Sequence, residues 1–350
     1  MEFKYQVSRP QLGGNELDYV RAAMETGWIS SQGGYVRQFE QEFARYNRVA
    51  HGVACSSGTS ALTLALRALD IGPGDEVLVP EFTMIASAWA VTYTGATPVF
   101  VDCGEDLNID VSAIEAHITP RTKAIMPVHV YGRRCAMDVV LDIAYEYNLR
   151  VVEDSAEAHG VRPTGDVACF SLFANKIITA GEGGVCVTND PRVAEQIAHL
   201  RSMAFSKEHN FLHKKLAYNF RMTNLQAAVA LAQLERLDEI LAMRSAIERR
   251  YDDGLAGIDG VKLMPPRDVL WMYDVRVSRR AELREFLAAE GIETRLFFKP
   301  MSRQPMYLDP KWPSLHANSF AEDGLYLPTY TGLTESDQSY IVDRVRKFYR

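Results

Sequence analysis

The sequence predicts a large α/β domain followed by a smaller α+β domain, and three observations predict this. In the first two-thirds of the chain, short apolar runs rich in Val and Ile alternate with amphipathic segments, the pattern of a sheet covered by helices. Near residue 222 a long helical stretch begins, after which strand and helix signals are mixed. The length of 350 residues is sufficient for two domains. We therefore expect a large domain over residues 1–240, including an N-terminal segment, and a small domain over residues 241–350.

The elements of the large domain follow from two patterns of apolar residues. Apolar residues at helical spacing predict one helix that carries Val36, Phe39 and Phe43 and another that carries Leu62, Ala65 and Leu66. Four continuous apolar runs predict buried strands at 76–80, 97–102, 123–128 and 149–154. Strands buried on both faces are typical of a parallel sheet, in which ligands bind at the carboxyl ends of the strands.

The C-terminal elements begin with the helical stretch at 222–251, which is expected to link the two domains. A strand around 273–277, a helix over 280–290, an extended segment at 293–300 and a closing helix over 335–349 follow it. This combination predicts a small α+β domain.

The composition excludes several classes of protein. With 45 acidic and 38 basic side chains the formal charge is −7, which argues against a nucleic-acid partner. The apolar runs are shorter than the roughly 20 residues that cross a bilayer, and the first residues lack a signal-peptide core, so a cytoplasmic protein without a membrane partner is expected. The five cysteines include no CxxC and the histidines form no HExxH, so we expect reduced thiols and no metal site.

A possible phosphate site lies in residues 53–66, which read as a strand, a small polar turn and a helix. At such a helix start the backbone N–H groups of Ser57, Gly58 and Thr59 are free to bind an anion. Alternatively, Ser57 only caps the helix. The segment is neither a Walker loop nor a dinucleotide fingerprint.

Asp154 ends the apolar run 149–154, so its carboxylate is expected at the carboxyl end of a strand. There it could pair with a positively charged ring nitrogen of a cofactor and keep that ring protonated. Alternatively, Asp154 caps a following helix. A role in binding a dinucleotide ribose is disfavoured, because the glycine fingerprint is missing upstream.

Lys176 is flanked by apolar residues, among them Phe173, Ile177 and Ile178. This setting predicts a partly desolvated amine that can attack a carbonyl, although most lysines are solvated surface charges. Together, the anion site, the strand-end acid and the lysine meet the needs of pyridoxal phosphate. Its phosphate needs N–H donors, its ring nitrogen needs an acid and its aldehyde needs an amine.

These motifs resemble the DegT/DnrJ/EryC1/StrS family of sugar aminotransferases. The resemblance extends over nearly the whole chain and is carried by GWISSQG (27–33), SSGTSAL (56–62), VVEDSAEAHG (151–160), FANKIITAGEGG (173–184) and YNFRMTNLQAA (218–228). It implies the type I fold of pyridoxal phosphate enzymes, with a mixed, mostly parallel sheet in the large α/β domain and a small C-terminal α+β domain. It also implies an aminotransferase that moves an amino group, most often from glutamate, to the keto group of a nucleotide-linked deoxy sugar.

Within the family, the chain is most similar to the branch that aminates C4 of a 4-keto-6-deoxyhexose. A 3-keto sugar or a keto-inositol is an alternative substrate, and a non-catalytic regulatory homologue is an alternative function. In the dehydratase branch of the family a histidine replaces the lysine, so Lys176 favours transamination.

The resemblance implies roles for residues around the cofactor. Lys176 would bind pyridoxal 5′-phosphate covalently and carry the proton, with the cofactor in its pyridoxamine phosphate form during turnover. Asp154 would pair with the ring nitrogen. The phosphate would be held by Ser57, Gly58, Thr59 and Ser171. Met84 occupies the place of an aromatic ring that stacks on the cofactor in many relatives, and Glu157 occupies the place of a Gln near the phenolic oxygen.

The resemblance also implies a homodimer with shared active sites, because Asn219 would reach the phosphate of the neighbouring subunit's cofactor. Ser30 and His129 would belong to the cofactor and sugar pocket, and Arg295 is a candidate substrate contact. The locally basic segment 205–215 is a further candidate for neutralising a substrate diphosphate across the dimer.

Overall fold

The structure is a computed structural model that describes residues 3–205, 211–213, 215–308 and 315–350. Within these ranges the α-helices are α1 (Glu16–Thr26), α2 (Gly34–Tyr46), α3 (Gly58–Ala68), α4 (Ile85–Thr94), α5 (Met137–Glu146), α6 (Pro191–Arg201), α7 (Asn224–Glu235), α8 (Leu237–Leu255), α9 (Arg280–Ala289), α10 (Leu315–Asp323) and α11 (Glu335–Tyr349). The strands are β1 (His51–Cys55), β2 (Glu76–Pro80), β3 (Thr97–Val101), β4 (Thr122–Ile125), β5 (Arg150–Asp154), β6 (Val167–Ser171), β7 (Gly184–Thr188), β8 (Val261–Leu263), β9 (Tyr273–Val277), β10 (Arg295–Leu296) and β11 (Gly324–Leu327).

Seven strands form the larger sheet, in the order β1-β7-β6-β5-β4-β2-β3. Strand β7 is antiparallel to both of its neighbours, β1 and β6, and the other paired strands are parallel. Six of the seven strands therefore point in one direction. Their carboxyl ends meet at a single edge of the sheet, as the sequence pattern predicts for a mixed, mostly parallel sheet.

Helices cover the larger sheet because its strands are apolar on both faces. Val77, Leu78 and Val79 of β2 are fully buried, each in contact with a helical layer on one side or the other. Helix α3 packs against β6 and β7 through its apolar side. This packing fixes the N-terminus of α3 at the edge where the strands end.

The helical stretch predicted at 222–251 is two helices rather than one. Helix α7 begins with a capping box formed by Thr223 and Gln226. The chain leaves helical geometry at Arg236, where φ is −109°, and α8 then begins at Leu237. The sequence carries no Gly or Pro at this point, so the break was not predictable from helix-breaking residues.

The C-terminal region is built on a four-stranded antiparallel sheet in the order β10-β11-β9-β8. Leu325 and Leu327 of β11 pack into a second core, whereas Tyr326 between them packs into a core of the larger sheet. On α8, Ile240 belongs to the core of the larger sheet and Ile247 to the core of the smaller one. Tyr5 from the N-terminal segment also packs into the smaller core. A division near residue 240 is consistent with this packing and stays a prediction.

A buried ionic contact joins the two sheets. Arg133 follows the buried segment 130–132 and forms an ion pair with Asp274 of β9 at 2.9 Å. Next to it, Gly132 has a φ of +85°, and a Cβ there would lie 1.9 Å from the carbonyl oxygen of Val269. Only glycine permits this close approach. The contact brings the chain before β9 against the edge where the strands of the larger sheet end.

Among the helices of the described ranges, none has the length and apolar content required to span a bilayer.

Candidate active site

A cleft of about 470 Å³ lies between the carboxyl ends of the larger sheet and the C-terminal region. Its floor comes from the residues that follow β1, β2, β5 and β6. The opposite wall comes from the C-terminal region, with Trp271, Met272, Arg295, Phe298 and Tyr326. Of the residues that the sequence singled out, the cleft is lined by Ser57, Gly58, Thr59, Met84, Asp154, Glu157, Ser171, Lys176 and Arg295.

The start of α3 provides a set of anion-binding donors. Ser57 is the N-cap, and its Oγ accepts a hydrogen bond from the backbone N–H of Ser60 at 3.1 Å. The capping role of Ser57 is thus present, but it uses only one of the N–H groups that lack partners in a first helical turn. The N–H groups of Gly58 and Thr59 remain for a ligand. A Cβ on Gly58 would lie 2.8 Å from that of Ser171, so the helix start and the Ser171 hydroxyl are close together.

Asp154 is 4% exposed at the end of β5, and its carboxylate is held by two donors. The Ser87 hydroxyl donates to Oδ2 at 2.7 Å, and the Ala156 N–H donates to Oδ1 at 3.1 Å. Burial raises the pKa of Asp154, while these two donors and the nearby Lys176 ammonium act in the opposite direction. No helix begins after Asp154 in this part of the described chain, so it is not a helix cap. A buried carboxylate of this kind fits a cationic ring nitrogen.

Lys176 lies on the connection between β6 and β7, and its side chain is 10% exposed. Its Nζ is 3.3 Å from Oε1 of Glu157 and 4.1 Å from the centroid of the Trp271 ring. The amine therefore faces the cleft and is largely shielded from solvent. This is the setting that the apolar flanking sequence predicts, rather than that of a solvated surface charge.

Glu157 is buried and has two partners in the cleft. Its Oε2 accepts a hydrogen bond from the backbone N–H of Tyr131 at 3.0 Å, and its Oε1 faces Lys176. Burial raises the pKa of Glu157, and the Lys176 ammonium and the Tyr131 N–H counteract that rise. The Glu157 carboxylate is thus paired with the lysine.

Met84 and Arg295, which were also predicted, line the more exposed side of the cleft. Met84 immediately precedes α4 and is 48% exposed, so its thioether is available to cover one face of a bound ring. Arg295 lies on β10, and its guanidinium bonds Glu293 at 3.4 Å. Its side chain is 56% exposed, so the guanidinium can still bind a ligand at the mouth of the cleft.

His129 does not line the cleft, which differs from the expectation of a pocket residue. Its ring is fully buried behind β5, with Nε2 2.9 Å from Glu153 and Nδ1 accepting the N–H of Cys135 at 3.1 Å. Its backbone N–H donates to the carbonyl of Asp154 at 3.1 Å. With both ring nitrogens bonded to the protein, His129 supports the strand end that carries Asp154 rather than contacting a ligand.

Ser30 and Asn219 also lie outside the cleft of their own chain, and both are exposed. The loop 27–33 that carries Ser30 is held by Asn224. The Asn224 Nδ2 donates to the carbonyl of Trp28 at 2.6 Å, and its Oδ1 accepts the N–H of Tyr35 at 2.9 Å. Of the basic segment 205–215, residues 206–210 and 214 lie outside the described residues.

Two residues that reach the cleft from distant parts of the chain were not predicted from the sequence. Ser87 on α4 donates to Asp154, and Trp271 contacts Lys176 from the C-terminal region. Ser87 lies three residues after Met84, and residues at this spacing share one face of a helix. The predicted position of Met84 at the cleft could therefore have indicated Ser87 as well. The sequence carries no comparable signal for Trp271, whose contact depends on how the C-terminal region packs.

The chain is similar to known proteins over nearly its whole length. A model of the DegT/DnrJ/EryC1/StrS aminotransferase family matches residues 10–346. The chain is 47% identical over 362 residues to GDP-perosamine synthase from Caulobacter vibrioides, which covers 98% of this chain and 96% of that protein. It is 41% identical over 327 residues to dTDP-3-amino-3,4,6-trideoxy-alpha-D-glucose transaminase from Streptomyces venezuelae, which covers 89% of this chain and 86% of that protein. Among solved structures, it is similar to DesV from S. venezuelae, with a TM-score of 0.91, 38% identity and coverage of 96% of this chain and 94% of that chain.

Proposed function

The chain belongs to the DegT/DnrJ/EryC1/StrS aminotransferase family, and we propose that it transfers an amino group from glutamate to C4 of a nucleotide-linked 4-keto-6-deoxyhexose. It is a pyridoxal phosphate-dependent sugar aminotransferase. The observation that carries the proposal is the convergence of Lys176, Asp154 and the start of α3 in one cleft. The identity of 47% to GDP-perosamine synthase supports the choice of C4.

The residues of the cleft fit pyridoxal phosphate. Asp154 would bind the ring nitrogen, Met84 would cover one face of the ring, and the phosphate would bind Ser171 and the N–H groups that begin α3. When bound, the cofactor draws electrons away from the carbon that carries the transferred amino group, which makes a proton on that carbon acidic. The Lys176 amine would hold the cofactor covalently and, once freed, move that proton between carbon atoms.

The substrate assignment is supported by the side chains at the mouth of the cleft. Phe173 and Phe298 provide apolar surface there, which suits the C6 methyl group of a deoxy sugar. Arg295 would supply positive charge for the phosphates of the nucleotide. The 3-amino sugar transaminase is less similar than the GDP-perosamine synthase in both identity and coverage, which favours C4 over C3.

We propose further that the enzyme is a homodimer with shared active sites. Ser30 and Asn219 are exposed and do not line the cleft of their own chain, so a role for them at the cofactor is expected in the site of a second subunit. In that arrangement the loop held by Asn224 would close the cleft of the partner.

The test is to incubate the purified enzyme with glutamate and a panel of GDP-, dTDP- and UDP-linked 4-keto and 3-keto sugars. Product masses identify the aminated substrate, and nuclear magnetic resonance identifies the carbon and its configuration. We expect amination of a 4-keto-6-deoxyhexose at C4. Exclusive amination at C3, or no amination of any keto sugar by protein that carries the cofactor, would contradict the proposal.

A further inference from the structure

Two side chains of the cleft contact the amine of Lys176. Its Nζ lies between the Glu157 carboxylate, at 3.3 Å, and the face of the Trp271 ring, at 4.1 Å from the centroid. Glu157 and Trp271 are each 4% exposed. An ammonium group withdrawn from water needs such partners, and a carboxylate and an indole face both favour the charged form.

The Glu157 carboxylate is held independently of the lysine. Its Oε2 accepts the backbone N–H of Tyr131, a residue whose own ring is fully buried. This bond orients the carboxylate so that Oε1 faces Nζ. The position of the negatively charged Glu157 carboxylate beside Lys176 is therefore fixed by a hydrogen bond from the main chain.

Trp271 is held against the lysine connection by a second bond. Its indole Nε1–H donates to the carbonyl of Asn175 at 2.8 Å, and Asn175 immediately precedes Lys176. One indole ring thus contacts both the main chain that carries the lysine and the amine at the end of its side chain. Because Trp271 comes from the C-terminal region, the position of the amine depends on how that region packs against the larger sheet.

We propose that Glu157 and Trp271 form a resting site for the protonated amine of Lys176, and that both act as positioning residues. The inference rests on the proposed function, since an aminotransferase must free its lysine in each half-reaction and still keep it within reach. While it carries the proton, Nζ faces Glu157 Oε1 and the Trp271 ring, and it returns from there toward the reacting carbon. A Gln at position 157 could accept a hydrogen bond from the ammonium but could not neutralise its charge.

The test measures the reactivity of Lys176 in the full-length, cofactor-free protein. A short pulse of an amine-reactive ester at a series of pH values is followed by digestion and mass spectrometry of the peptide that contains Lys176. Only the neutral amine reacts, so losing the carboxylate should make the lysine reactive at lower pH. For Glu157→Gln we expect labelling about tenfold faster near neutral pH, the size expected when one adjacent opposite charge is removed.

Several controls separate this effect from unfolding and from simple access. The exposed Lys123 and Lys262 provide internal reference peptides in the same digest. Trp271→Phe keeps an aromatic face and loses the N–H bond, whereas Trp271→Leu loses the aromatic face and the N–H bond. Labelling of Lys176 should therefore be faster in Trp271→Phe than in the wild type, and fastest in Trp271→Leu. Each variant is first matched to the wild type by its thermal unfolding. If Lys176 only becomes more accessible, its labelling rate reaches a higher plateau at high pH. If the contacts with Glu157 and Trp271 are lost, the midpoint of the curve of labelling rate against pH moves to lower pH.

Asp154→Asn is the matched control, because it removes a second carboxylate from the same cleft. That carboxylate bonds Ser87 and Ala156, and it acts on the Lys176 ammonium over a longer distance than the 3.3 Å contact of Glu157. We expect a smaller midpoint shift for it than for Glu157→Gln. The proposal is overturned if Glu157→Gln and Trp271→Leu keep the wild-type pH profile, or if Asp154→Asn shifts it as far as Glu157→Gln. No sugar is present in this experiment, so its failure is distinct from failure of the proposed sugar substrate.

Discussion

Replacing Arg133 with Met tests the buried ionic contact that seats the C-terminal region over the cleft. Arg133 and Asp274 are 2% and 0% exposed, with Nη1 2.9 Å from Oδ2 and Nη2 3.2 Å from Oδ1. Burial alone would raise the pKa of Asp274, but Arg133 and Arg267 hold that pKa below its ordinary value. Breaking a buried pair costs about 3–5 kcal/mol, and since Arg267 remains 2.7 Å from Asp274 we expect a loss of about 3 kcal/mol.

Urea unfolding of the cofactor-free protein, followed by tryptophan fluorescence, measures this loss as a change in the free energy of unfolding. Arg134→Met is the matched control, because Arg134 is partly exposed and bonds Asp268 through its backbone N–H, which the substitution retains. We expect the control to change the free energy of unfolding by less than about 0.5 kcal/mol. A loss below about 1 kcal/mol for Arg133→Met, or equal losses for both variants, would mean that the Arg133–Asp274 pair does not stabilise the fold.

Three further predictions concern the pH response, the cofactor and the N-terminal loop. Burial lowers the pKa of His159 from 6.5 to about 3, so stability is lost as the pH falls below 6.5. Between pH 7.5 and 5.5 we expect a loss of about 1.4 kcal/mol in urea unfolding that is absent in His159→Leu. Because burial raises the pKa of Asp154, its ionised form destabilises the cofactor-free protein above the ordinary value of 3.8. Asp154→Asn should therefore unfold at higher urea than the wild type at pH 8 and lose this advantage below pH 3.8, while releasing the cofactor faster on dialysis. Asn224→Ala removes one hydrogen bond to Trp28 in the loop 27–33 and one to Tyr35 at the start of α2, worth about 2 kcal/mol together, so chymotrypsin should cut after Trp28 roughly thirtyfold faster. Unchanged rates would show that the Asn224 side chain does not hold the loop.

Four strands of the larger sheet were predictable because each overlaps a continuous apolar run. The run at 76–80 is β2, and the run at 149–154 contains β5, which begins at Arg150. The closing helix at 335–349 was predictable from its amphipathic spacing, and its start is fixed by a capping box of Thr334 and Asp337. These features depend on local sequence. The break between α7 and α8 has no such local signal.

The cleft was predictable as far as its residues follow strands of the larger sheet. Asp154, Lys176 and the start of α3 were identified from strand ends and flanking residues, and the structure places them in one cleft. His129 was expected in the same pocket, but whether a buried imidazole faces a ligand or Glu153 depends on packing. The same holds for Trp271, since its contact with Lys176 joins residues 95 positions apart in the chain.

Reductive trapping of the cofactor shows which lysine binds it. The purified protein is incubated with pyridoxal phosphate, treated with borohydride and digested, and the modified residue is located by mass spectrometry. We expect one phosphopyridoxyl group on Lys176 and none in Lys176→Ala. A modification on a different lysine, or a Lys176 that stays unmodified in fully loaded protein, would contradict this expectation.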